Sequence, residues 1–371
     1  MATEFQQSDA AGARRGVAAG RGARRRGAAG RGAHERATLD LAPSAALTTY
    51  RRSGLAWALL SGVCWGADGV VLGLALAMAP FAGAAALVAP LAAAALHDVL
   101  ATGWMIGFDT LTGRLRRLPR SLASRQGLVL CAAAVIGGPI AMSGYLFGIR
   151  YAGAAYALAL SATYPAVGAV LSRIFLGEQV SRRGWLGIAV TVTGAAIATY
   201  TPPAGETPHF YLGIALAVVA TLGWGIEGVL AIHAMKAIEP VVAGTLRMAT
   251  SATVYIAVVL PLVGGLGVLG SALGAASFWL LLGAAAAGAA SYLTYYAANH
   301  LVGASRAMPI NSLYAVWAIV FSIVLTGLHP TVQLVAGVLT TFAGAVLVVS
   351  GAPRRQGDLD EEEAIFPPSA R

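Results

Sequence analysis

The stretch Ser61-Gly-Val-Cys-Trp-Gly-Ala-Asp-Gly69 returns in altered form as Leu222-Gly-Trp-Gly-Ile-Glu-Gly228. Each copy contains the pattern Trp-Gly-x-acid-Gly in the middle of a long apolar run, so each surrounds one carboxyl group with hydrocarbon. A carboxylate at membrane depth is costly unless it faces a cavity or a partner, and its default interpretation is functional. The repetition therefore predicts a duplicated membrane protein whose site lies at the interface between the two repeats.

The composition around these two stretches is that of an integral membrane protein. Of the 371 residues, 57% are hydrophobic and 11% are charged, whereas a soluble domain carries about 25% charged residues. The charges are also clustered, which leaves apolar runs of about 20 residues, enough to cross the bilayer core as a helix. We therefore expect an all-α integral membrane protein.

The basic residues are concentrated before the first apolar run. The formal net charge is +9, yet ten of the arginines precede residue 53 in an Arg/Gly/Ala-rich segment. Such a composition is typical of disorder, so we interpret residues 1–52 as a disordered basic cytoplasmic tail. Binding of anionic lipid or RNA by this tail is the functional alternative, but we expect no nucleic-acid partner.

Ten apolar runs follow the tail, in two sets of five. The first set lies at about 54–78, 82–106, 127–149, 152–175 and 184–200, and the second at about 210–234, 241–263, 274–298, 302–327 and 331–351. A polar break separates the sets, and a polar acidic cytoplasmic tail, 352–371, ends the chain. We therefore expect ten transmembrane helices, with one five-helix repeat at 53–200 and a second at 210–351.

The distribution of arginine predicts the orientation of these spans. Five arginines lie between the second and third spans, and others flank the turn between spans four and five and follow span ten. Cytoplasmic loops carry the excess of Lys and Arg, so both termini are expected in the cytoplasm. Because five is an odd number, the second repeat enters the membrane from the opposite side, which is the inverted topology of many secondary transporters.

The sequence contains one match to a motif of soluble enzymes, but the surrounding residues do not fit it. The segment Gly265-Leu-Gly-Val-Leu-Gly270 matches G-x-G-x-x-G, but it lies in an expected external loop without the βαβ unit that a dinucleotide site needs. We interpret it as a flexible turn. Cys64 and Cys131 lack metal-ligand spacing. We expect no catalytic residues, no cofactor and no metal, and therefore no enzyme.

A few ionisable residues lie within the expected spans. Asp68 and Glu227 occupy equivalent positions beside the duplicated tryptophan, so at least one of them is expected to face a substrate cavity. His97 and Asp98 lie in the inner half of span two, and Arg247 lies near the inner end of span seven. Asp98 and Arg247 form either a neutralising ion pair or, with His97, a gate, and His97 is either a packing donor or a proton relay.

Aromatic side chains are concentrated at mid-span around these carboxyl groups. They are Trp65, Tyr145, Tyr164, Trp224, Tyr292, Tyr295, Tyr314 and Trp317. Packing alone explains aromatic residues in any helical bundle, but carboxylates combined with Trp and Tyr faces also stabilise a desolvated organic cation. An anion site would instead require Arg or Lys at the midplane. We therefore interpret the aromatic residues and the two carboxylates as the binding site of a small cationic or zwitterionic substrate.

Several motifs resemble those of one transporter family. They are Trp-Gly in spans one and six, His97-Asp98, Gly137-Gly-Pro139 to Gly144-Tyr145, Tyr164-Pro-Ala-Val-Gly168 followed by Gly177-Glu178, Trp224-Gly-Ile-Glu227, Arg247 with Thr250-Ser-Ala252, Ser291 to Tyr296, Gly303-Ala304, Asn311, Tyr314 and Trp317-Ala318. Over residues 54–351 the chain resembles the EamA-type members of the drug/metabolite transporter superfamily. Within them it is similar to the LicB-type choline transporters.

This resemblance implies the uptake of choline or a related quaternary ammonium compound across the plasma membrane of a bacterium. It implies that Trp65, Tyr145, Glu227 and Trp317 surround the trimethylammonium group, and it adds Asn311 to the expected site. The expected mechanism is alternating access driven by the membrane potential, with proton coupling through either midplane carboxyl group left open. The protein is expected to act in the lipid bilayer as a monomer or a homodimer.

Three other interpretations remain open on the sequence alone. The first is an exporter of amino acids or other small metabolites, a frequent assignment among EamA-type proteins, which predicts efflux and no saturable choline uptake. The second is a membrane scaffold or lipid-binding protein, for which Glu227→Gln would change nothing but stability. The third is an integral-membrane enzyme, which no nucleophile–base pair or metal-ligand cluster in the sequence supports.

Overall fold

The computed structural model of the protein describes residues 53–175, 181–199, 208–302 and 304–350. The expected basic and acidic tails lie outside the described residues, as do Gly177-Glu178 and most of the polar break between the two sets of spans. Within the described residues every regular element is helical. This agrees with the all-α class that the apolar runs predict.

The helices are numbered in chain order as follows. The helices before the polar break are α1 (Ser53–Leu76), α2 (Val88–Leu111), α3 (Leu118–Leu122), α4 (Arg125–Ala152), α5 (Ala154–Ser161), α6 (Tyr164–Phe175) and α7 (Arg182–Thr199). The helices after it are α8 (Phe210–Ala234), α9 (Pro240–Val263), α10 (Leu266–Ala272), α11 (Ala276–Val302), α12 (Ala304–Asn311), α13 (Tyr314–Thr326) and α14 (Val332–Ser350). A short 3-10 turn, Leu115–Arg117, precedes α3, and π-helical segments lie within α4 at Ile136–Met142 and within α9 at Tyr255–Val259.

Seven candidate membrane spans lie in the described part of the chain. They are α1, α2, α4, α5 with the first part of α6, α8, α9 and α11. Two further apolar helices, Tyr314–Thr326 and Val332–Leu347, are shorter. The protein is thus a multi-pass membrane protein, and several bounds agree with the sequence, most closely at α8, which occupies the predicted residues 210–234. The count of ten spans stays a prediction.

The second span lies further along the chain than the sequence predicted. The apolar run indicated residues 82–106, but α2 is Val88–Leu111 and the residues before it form turns. Near its end, Asp109 is buried and accepts a 2.7 Å hydrogen bond from Thr245 of α9. This bond compensates the burial of one carboxyl oxygen, whereas Oδ1 has no hydrogen-bond partner among the described residues. The helix continues past Asp109 to Leu111.

The segment Gly265–Gly270 is largely helical, so the prediction of a flexible turn was wrong. Most of it lies in α10, between α9 and α11. The turn is confined to Gly264 and its neighbour, where Gly264 has a φ of 67° and ends α9 in the left-handed conformation that favours glycine. The sequence predicts an irregular loop between these two spans, but its apolar residues form one short helix instead.

Two of the apolar runs are interrupted at matching positions. The fourth predicted span breaks at 162–163, between α5 and α6, and the ninth breaks at 312–313, between α12 and α13. The helix after the first break begins at Tyr164 and the helix after the second begins at Tyr314, which is 314 − 164 = 150 residues later. Discontinuous membrane helices occur where a binding site lies near the midplane. The two breaks therefore indicate where to look for a site.

Small residues allow the helices around the breaks to approach closely. A Cβ added to Gly144 of α4 would lie 2.7 Å from the carbonyl oxygen of Leu216 of α8. A Cβ added to Gly66 of α1 would lie 2.8 Å from the Cβ of Trp317 of α13. Real Cβ atoms do not approach this closely, so glycine is required at both contacts, as is common where membrane helices pack.

Candidate functional site

A cavity lies between α1, α6, α8, α11, α12 and α13. It contains about 480 Å³ of empty space, a figure that includes the space in its open mouth. Its lining residues are Trp65, Tyr164, Trp224, Glu227, Gly228, Ser291, Tyr292, Tyr295, Tyr296, Asn311 and Tyr314. Most of them were expected from the sequence, and Tyr164 and Tyr314 are the residues that follow the two helix breaks.

Trp65 is the centre of the aromatic wall of this cavity. The ring centroids of Trp65 and Trp224 lie 5.4 Å apart at an angle of 81°, and those of Trp65 and Tyr292 lie 5.6 Å apart at 83°. The indole N–H of Trp224 donates a 2.9 Å hydrogen bond to the carbonyl oxygen of Gly137, which holds this ring in place. In edge-to-face packing, neighbouring rings are nearly perpendicular, so their faces point in different directions. The face of each ring carries the negative part of its quadrupole. Such a wall can bind a desolvated cation.

Tyr145 and Trp317, which the sequence placed in the site, lie outside the cavity lining. Tyr145 is fully buried and stacks on Trp65 with ring centroids 6.0 Å apart and an angle of 24°. Trp317 stacks on Phe321 at 6.1 Å, and its Cβ lies against Gly66. The rotation of each helix, which spacing alone does not determine, decides which side chains line the cavity.

Glu227 brings a carboxyl group into the cavity, and a buried arginine accompanies it. Arg247 of α9 donates from Nε to Oε1 of Glu227 at 2.7 Å and from Nη2 to Oε2 at 3.4 Å. The guanidinium carbon also lies 4.4 Å from the ring centroid of Tyr292, which is a cation–π geometry. The ion pair between Asp98 and Arg247, one of the two alternatives from the sequence, is thus not formed, because Arg247 pairs with Glu227. Gly137 makes room for this arrangement, since its Cβ would collide with the Glu227 carboxylate.

Asp68 belongs to a second buried cluster, one helical turn from Trp65 and outside the cavity lining. Its Oδ1 lies 3.2 Å from Nε2 of His97, and Nδ1 of His97 lies 2.9 Å from Oδ1 of Asp98. Ser251 of α9 donates to the other carboxyl oxygen of Asp98. All four polar residues are fully buried. The contact between Asp68 and His97 has the distance of an ion pair but not the geometry of a hydrogen bond, so neither oxygen of Asp68 has a hydrogen-bond partner among the described residues.

The two clusters together contain an excess of acidic groups. They hold the three carboxyl groups of Asp68, Asp98 and Glu227 against the guanidinium of Arg247 and the imidazole of His97. With every group ionised the sum is −3 + 2 = −1, and with a neutral imidazole it is −3 + 1 = −2. In the described part of the chain no group of three or more acids, histidines or cysteines could hold a metal ion. The excess negative charge favours an organic cation or a proton near the cavity.

A chain of hydrogen bonds forms a further part of the lining. The hydroxyl of Ser61, which lies behind the lining, donates to Oδ1 of Asn311 at 2.7 Å and lies 3.0 Å from Oγ of Ser291. Nδ2 of Asn311 donates to the hydroxyl of Tyr164 at 3.1 Å, and the hydroxyls of Tyr164 and Tyr295 lie 3.4 Å apart. The cavity therefore combines an aromatic and acidic part with a part rich in neutral hydrogen-bonding groups.

Three lining residues were not included in the site expected from the sequence, and they are Gly228, Ser291 and Tyr296. Tyr296 lies one helical turn after Tyr292, and Ser291 lies one turn before Tyr295, so helical spacing around the predicted tyrosines would have found both. Gly228 similarly lies one turn after Trp224. The helical period therefore carries the signal for all three residues.

Outside the membrane-spanning segments, an ion-pair cluster joins the loop after α2 to the start of α9. Nε of Arg114 lies 2.5 Å from Oε1 of Glu239, and Arg117 pairs with the other carboxyl oxygen. Partial burial raises the pKa of Glu239, but the hydrogen bonds and charges of the two arginines outweigh it and lower the pKa below its ordinary value. This cluster was not predicted from the sequence. It fixes the Arg-rich loop after α2 to the N-terminal end of α9.

Comparisons with known proteins agree with the resemblance that the motifs indicate. The model of the EamA-like transporter family matches residues 52–200 and again residues 211–350. Protein LicB of Haemophilus influenzae is 28% identical over 186 residues, an alignment that covers 50% of this chain and 62%, less than two thirds, of that protein. One solved crystal structure matches with a TM-score of 0.57 and 17% identity over 81% of this chain and 98% of its own, which shows the fold alone. Since the family model matches twice and covers most of the sequence, the chain belongs to the EamA-like transporter family.

Proposed function

We propose that the protein is a secondary transporter that imports choline or a related quaternary ammonium compound across the plasma membrane. The observation that carries this proposal is the cavity in which aromatic rings stand beside the carboxyl group of Glu227. A trimethylammonium group has no hydrogen to donate, so it binds through ring faces and through charge. Trp65, Trp224 and Tyr292 supply the rings, and the family supplies the expectation of transport.

The charges around the cavity support a cation over an anion. Glu227 lines the cavity, whereas Arg247 is 1% exposed and does not line it, because it is bound to the carboxylate and covered by the ring of Tyr292. An anion entering the cavity would meet the carboxylate first. A cation would meet the carboxylate and the faces of the rings, in an environment where three buried carboxyl groups face one guanidinium and one imidazole.

The membrane potential is a sufficient driving force for such a substrate. An inside-negative potential acts on a monovalent cation with about 2.3 kcal/mol per 100 mV. Because 1.4 kcal/mol corresponds to a factor of ten, this supports roughly fifty-fold accumulation. A uniporter could therefore concentrate a quaternary ammonium compound without ATP.

The proposed carrier has ten spans in two inverted repeats, at 53–200 and 210–351. The basic tail, 1–52, and the acidic tail, 352–371, both lie in the cytoplasm. Two matches of one family model support the duplication. The matching helix breaks before Tyr164 and Tyr314 support a shared midplane site, around which the two halves alternate in access. The Arg-rich loop after α2 supports the orientation.

The cluster of Asp68, His97 and Asp98 supports a proton-coupled form of the cycle. Three helices connect this cluster to the cavity or its ion pair over one helical turn. On α1, Asp68 of the cluster lies one turn from Trp65. On α9 and α11, Ser251 and Gly288, which contact the cluster, lie one turn from Arg247 and Tyr292 respectively. A Cβ on Gly288 would lie 2.8 Å from Nε2 of His97, so α11 touches the cluster directly. A proton gained or lost there would act on the helices that hold the rings and the ion pair of the substrate site.

Uptake of labelled choline into proteoliposomes with an imposed inside-negative potential tests the proposed function. We expect saturable uptake that rises with the potential. Glu227→Gln should reduce uptake at least about tenfold, because the substrate would then face Arg247 without its compensating carboxylate. Absence of uptake above empty liposomes would contradict the proposal, and efflux of amino acids from the same vesicles then tests the exporter alternative.

A second pair of variants tests the aromatic wall with the ion pair intact. Trp65→Leu removes the central ring and should raise the choline concentration at half-maximal uptake, because the cation loses one ring face of about 2 kcal/mol. Trp57→Leu is the matched control, since Trp57 lies on the same helix but is 42% exposed. Equal uptake in both variants would show that the substrate does not bind at the wall around Trp65.

A further inference from the structure

The cavity contains hydrogen-bond donors that a trimethylammonium group cannot use. We propose that Asn311 and Tyr164 form a subsite for a neutral oxygen acceptor on the substrate, a hydroxyl or an ester oxygen, and that the cavity rejects zwitterions that carry a carboxylate. This inference rests on the proposed function, because it assigns the second half of a substrate whose first half is the quaternary ammonium group.

The amide of Asn311 is oriented by a residue behind the lining. Ser61 of α1 is fully buried, and its hydroxyl proton has two acceptors in range, Oδ1 of Asn311 at 2.7 Å and the carbonyl oxygen of Ser291 at 2.9 Å. The shorter bond, to Oδ1, leaves the amide nitrogen of Asn311 as the free side. That nitrogen carries two N–H groups, and one of them donates to the hydroxyl of Tyr164 at 3.1 Å. The hydrogen bonds found within the described residues use only this one, so the second N–H is available to a ligand.

The hydroxyl of Tyr164 has no close acceptor for its own proton within the described residues. The nearest acceptors are the hydroxyl of Tyr295 at 3.4 Å and the carbonyl oxygen of Met308 at 3.5 Å. An O–H···O hydrogen bond usually measures about 2.7–2.8 Å. Because Tyr164 lines the cavity, a ligand oxygen placed there would accept a shorter and stronger bond than either protein acceptor does.

The charges of the lining exclude a carboxylate from the same place. Among the described lining residues, Glu227 is the one with a charged side chain. Arg247, the nearest base, is held outside the lining by its bonds to Glu227. A zwitterion would bring a second carboxylate into this cavity with no free cation to pair with, and like charges brought together oppose binding. The substrate is therefore a monocation with a neutral oxygen on a short carbon chain.

Two cations of equal size test the subsite. They are choline and n-propyltrimethylammonium, in which a methyl group replaces the hydroxyl. Isothermal titration calorimetry on the full chain in detergent compares their binding to the wild type and to Tyr164→Phe. We expect choline to bind about tenfold more tightly than the propyl analogue to the wild type, since one hydrogen bond is worth about that factor. The ratio should fall in the variant, because Asn311 is then the one remaining donor of the subsite, and betaine should bind at least about tenfold more weakly than choline.

Tyr314→Phe is the matched control for this substitution. Tyr314 also lines the cavity, but its hydroxyl already donates to Oγ of Ser161 at 3.1 Å. Its loss should change the affinities of the two cations by the same factor. Ser61→Ala tests the positioning of Asn311 from behind the lining, and it should reduce the ratio while the affinity for the propyl analogue is kept. Thermal unfolding verifies that each variant is folded.

The outcomes separate this inference from the proposed function. Equal affinities of the two cations for the wild type, or equal losses of both in Tyr164→Phe, would overturn the subsite and leave a quaternary ammonium carrier in place. Betaine binding as tight as that of choline would overturn the exclusion of zwitterions. Absence of binding by either cation to the wild type would overturn the subsite and the proposed substrate together.

Discussion

Arg247 lies twenty residues after Glu227, on the next helix, and is the largest fully buried side chain among the described residues. The carboxylate of Glu227, the sulfur of Met248 at 3.2 Å and the ring of Tyr292 surround its guanidinium. A buried ion pair often contributes no more stability than an apolar pair of the same size. Its retention beside a cavity is therefore better explained by the position and charge that it gives to Glu227.

Removal of one partner from this pair should destabilise the protein. Arg247→Met leaves an uncompensated carboxylate in the bundle, and we expect a loss of about 3–5 kcal/mol, seen as a lower unfolding midpoint in detergent. Adding Glu227→Gln to the same chain should recover most of the loss. Arg116→Met, in an exposed loop, is the control and should leave the midpoint unchanged. A single variant as stable as the wild type would contradict the pairing.

The site could be predicted from residue spacing only to a limited extent. The pattern Trp-Gly-x-acid-Gly led to Trp65, Trp224 and Glu227, because it places a ring and a carboxyl group on one side of a helix. The same pattern did not distinguish Asp68, which is buried with His97, from Glu227, which lines the cavity. Equivalent sequence positions share a depth in the membrane, but the neighbours on the facing helices determine the partner of each charge.

At the scale of the helices, hydropathy predicted where the chain is apolar but not where its backbone is interrupted. The breaks at 162–163 and 312–313 lie inside long apolar runs, and the polar residues there, Ser161, Thr163 and Asn311-Ser312, are too few to end a predicted span. The start of α2 was missed for the related reason that the residues before it are apolar and yet form turns. Composition predicts which segments favour lipid over water. It does not predict whether a helix is continuous, because that depends on the local packing around each break.

The ion-pair cluster between the loop after α2 and the start of α9 should make stability depend on pH. Because the pKa of Glu239 is lowered in the folded protein, its contribution is present above the ordinary value of 4.5 and is lost as the pH falls through the lowered value. Glu239→Gln should thus lower the free energy of unfolding at pH 7 by at most about 1 kcal/mol, which is the usual contribution of such surface pairs. In acid the two midpoints should converge. A difference that stays constant with pH would contradict this role.

At the scale of the whole molecule, the buried acid–imidazole cluster offers a way for a proton gradient to act on the cavity. Two acids contact His97, Asp68 from α1 and Asp98 on its own helix. Ser251 of α9 donates to Asp98, and Arg247 lies one turn before Ser251 on the same helix. Choline uptake by the wild type should therefore depend on a pH gradient as well as on the potential. His97→Gln should abolish the dependence on the gradient and keep the dependence on the potential.

Parallel uptake assays at a fixed potential, with and without a pH gradient, measure this effect. His233→Gln is the control, since His233 lies near the end of α8 and is exposed. Equal responses of the wild type and His97→Gln to the gradient would place proton coupling elsewhere or remove it from the cycle.

Both buried charge pairs join helices that are neighbours along the chain, and this has a consequence for biosynthesis. Asp68 of α1 meets His97 of α2, and Glu227 of α8 meets Arg247 of α9. An unpaired acid at the centre of a membrane helix costs about 2.5–3.5 kcal/mol on insertion. At about 5–20 residues per second, the ribosome supplies the partner of each acid within roughly 1–6 s. Each pair of helices can thus leave the translocation channel as a hairpin, and neither acid has to wait in lipid for the rest of the protein.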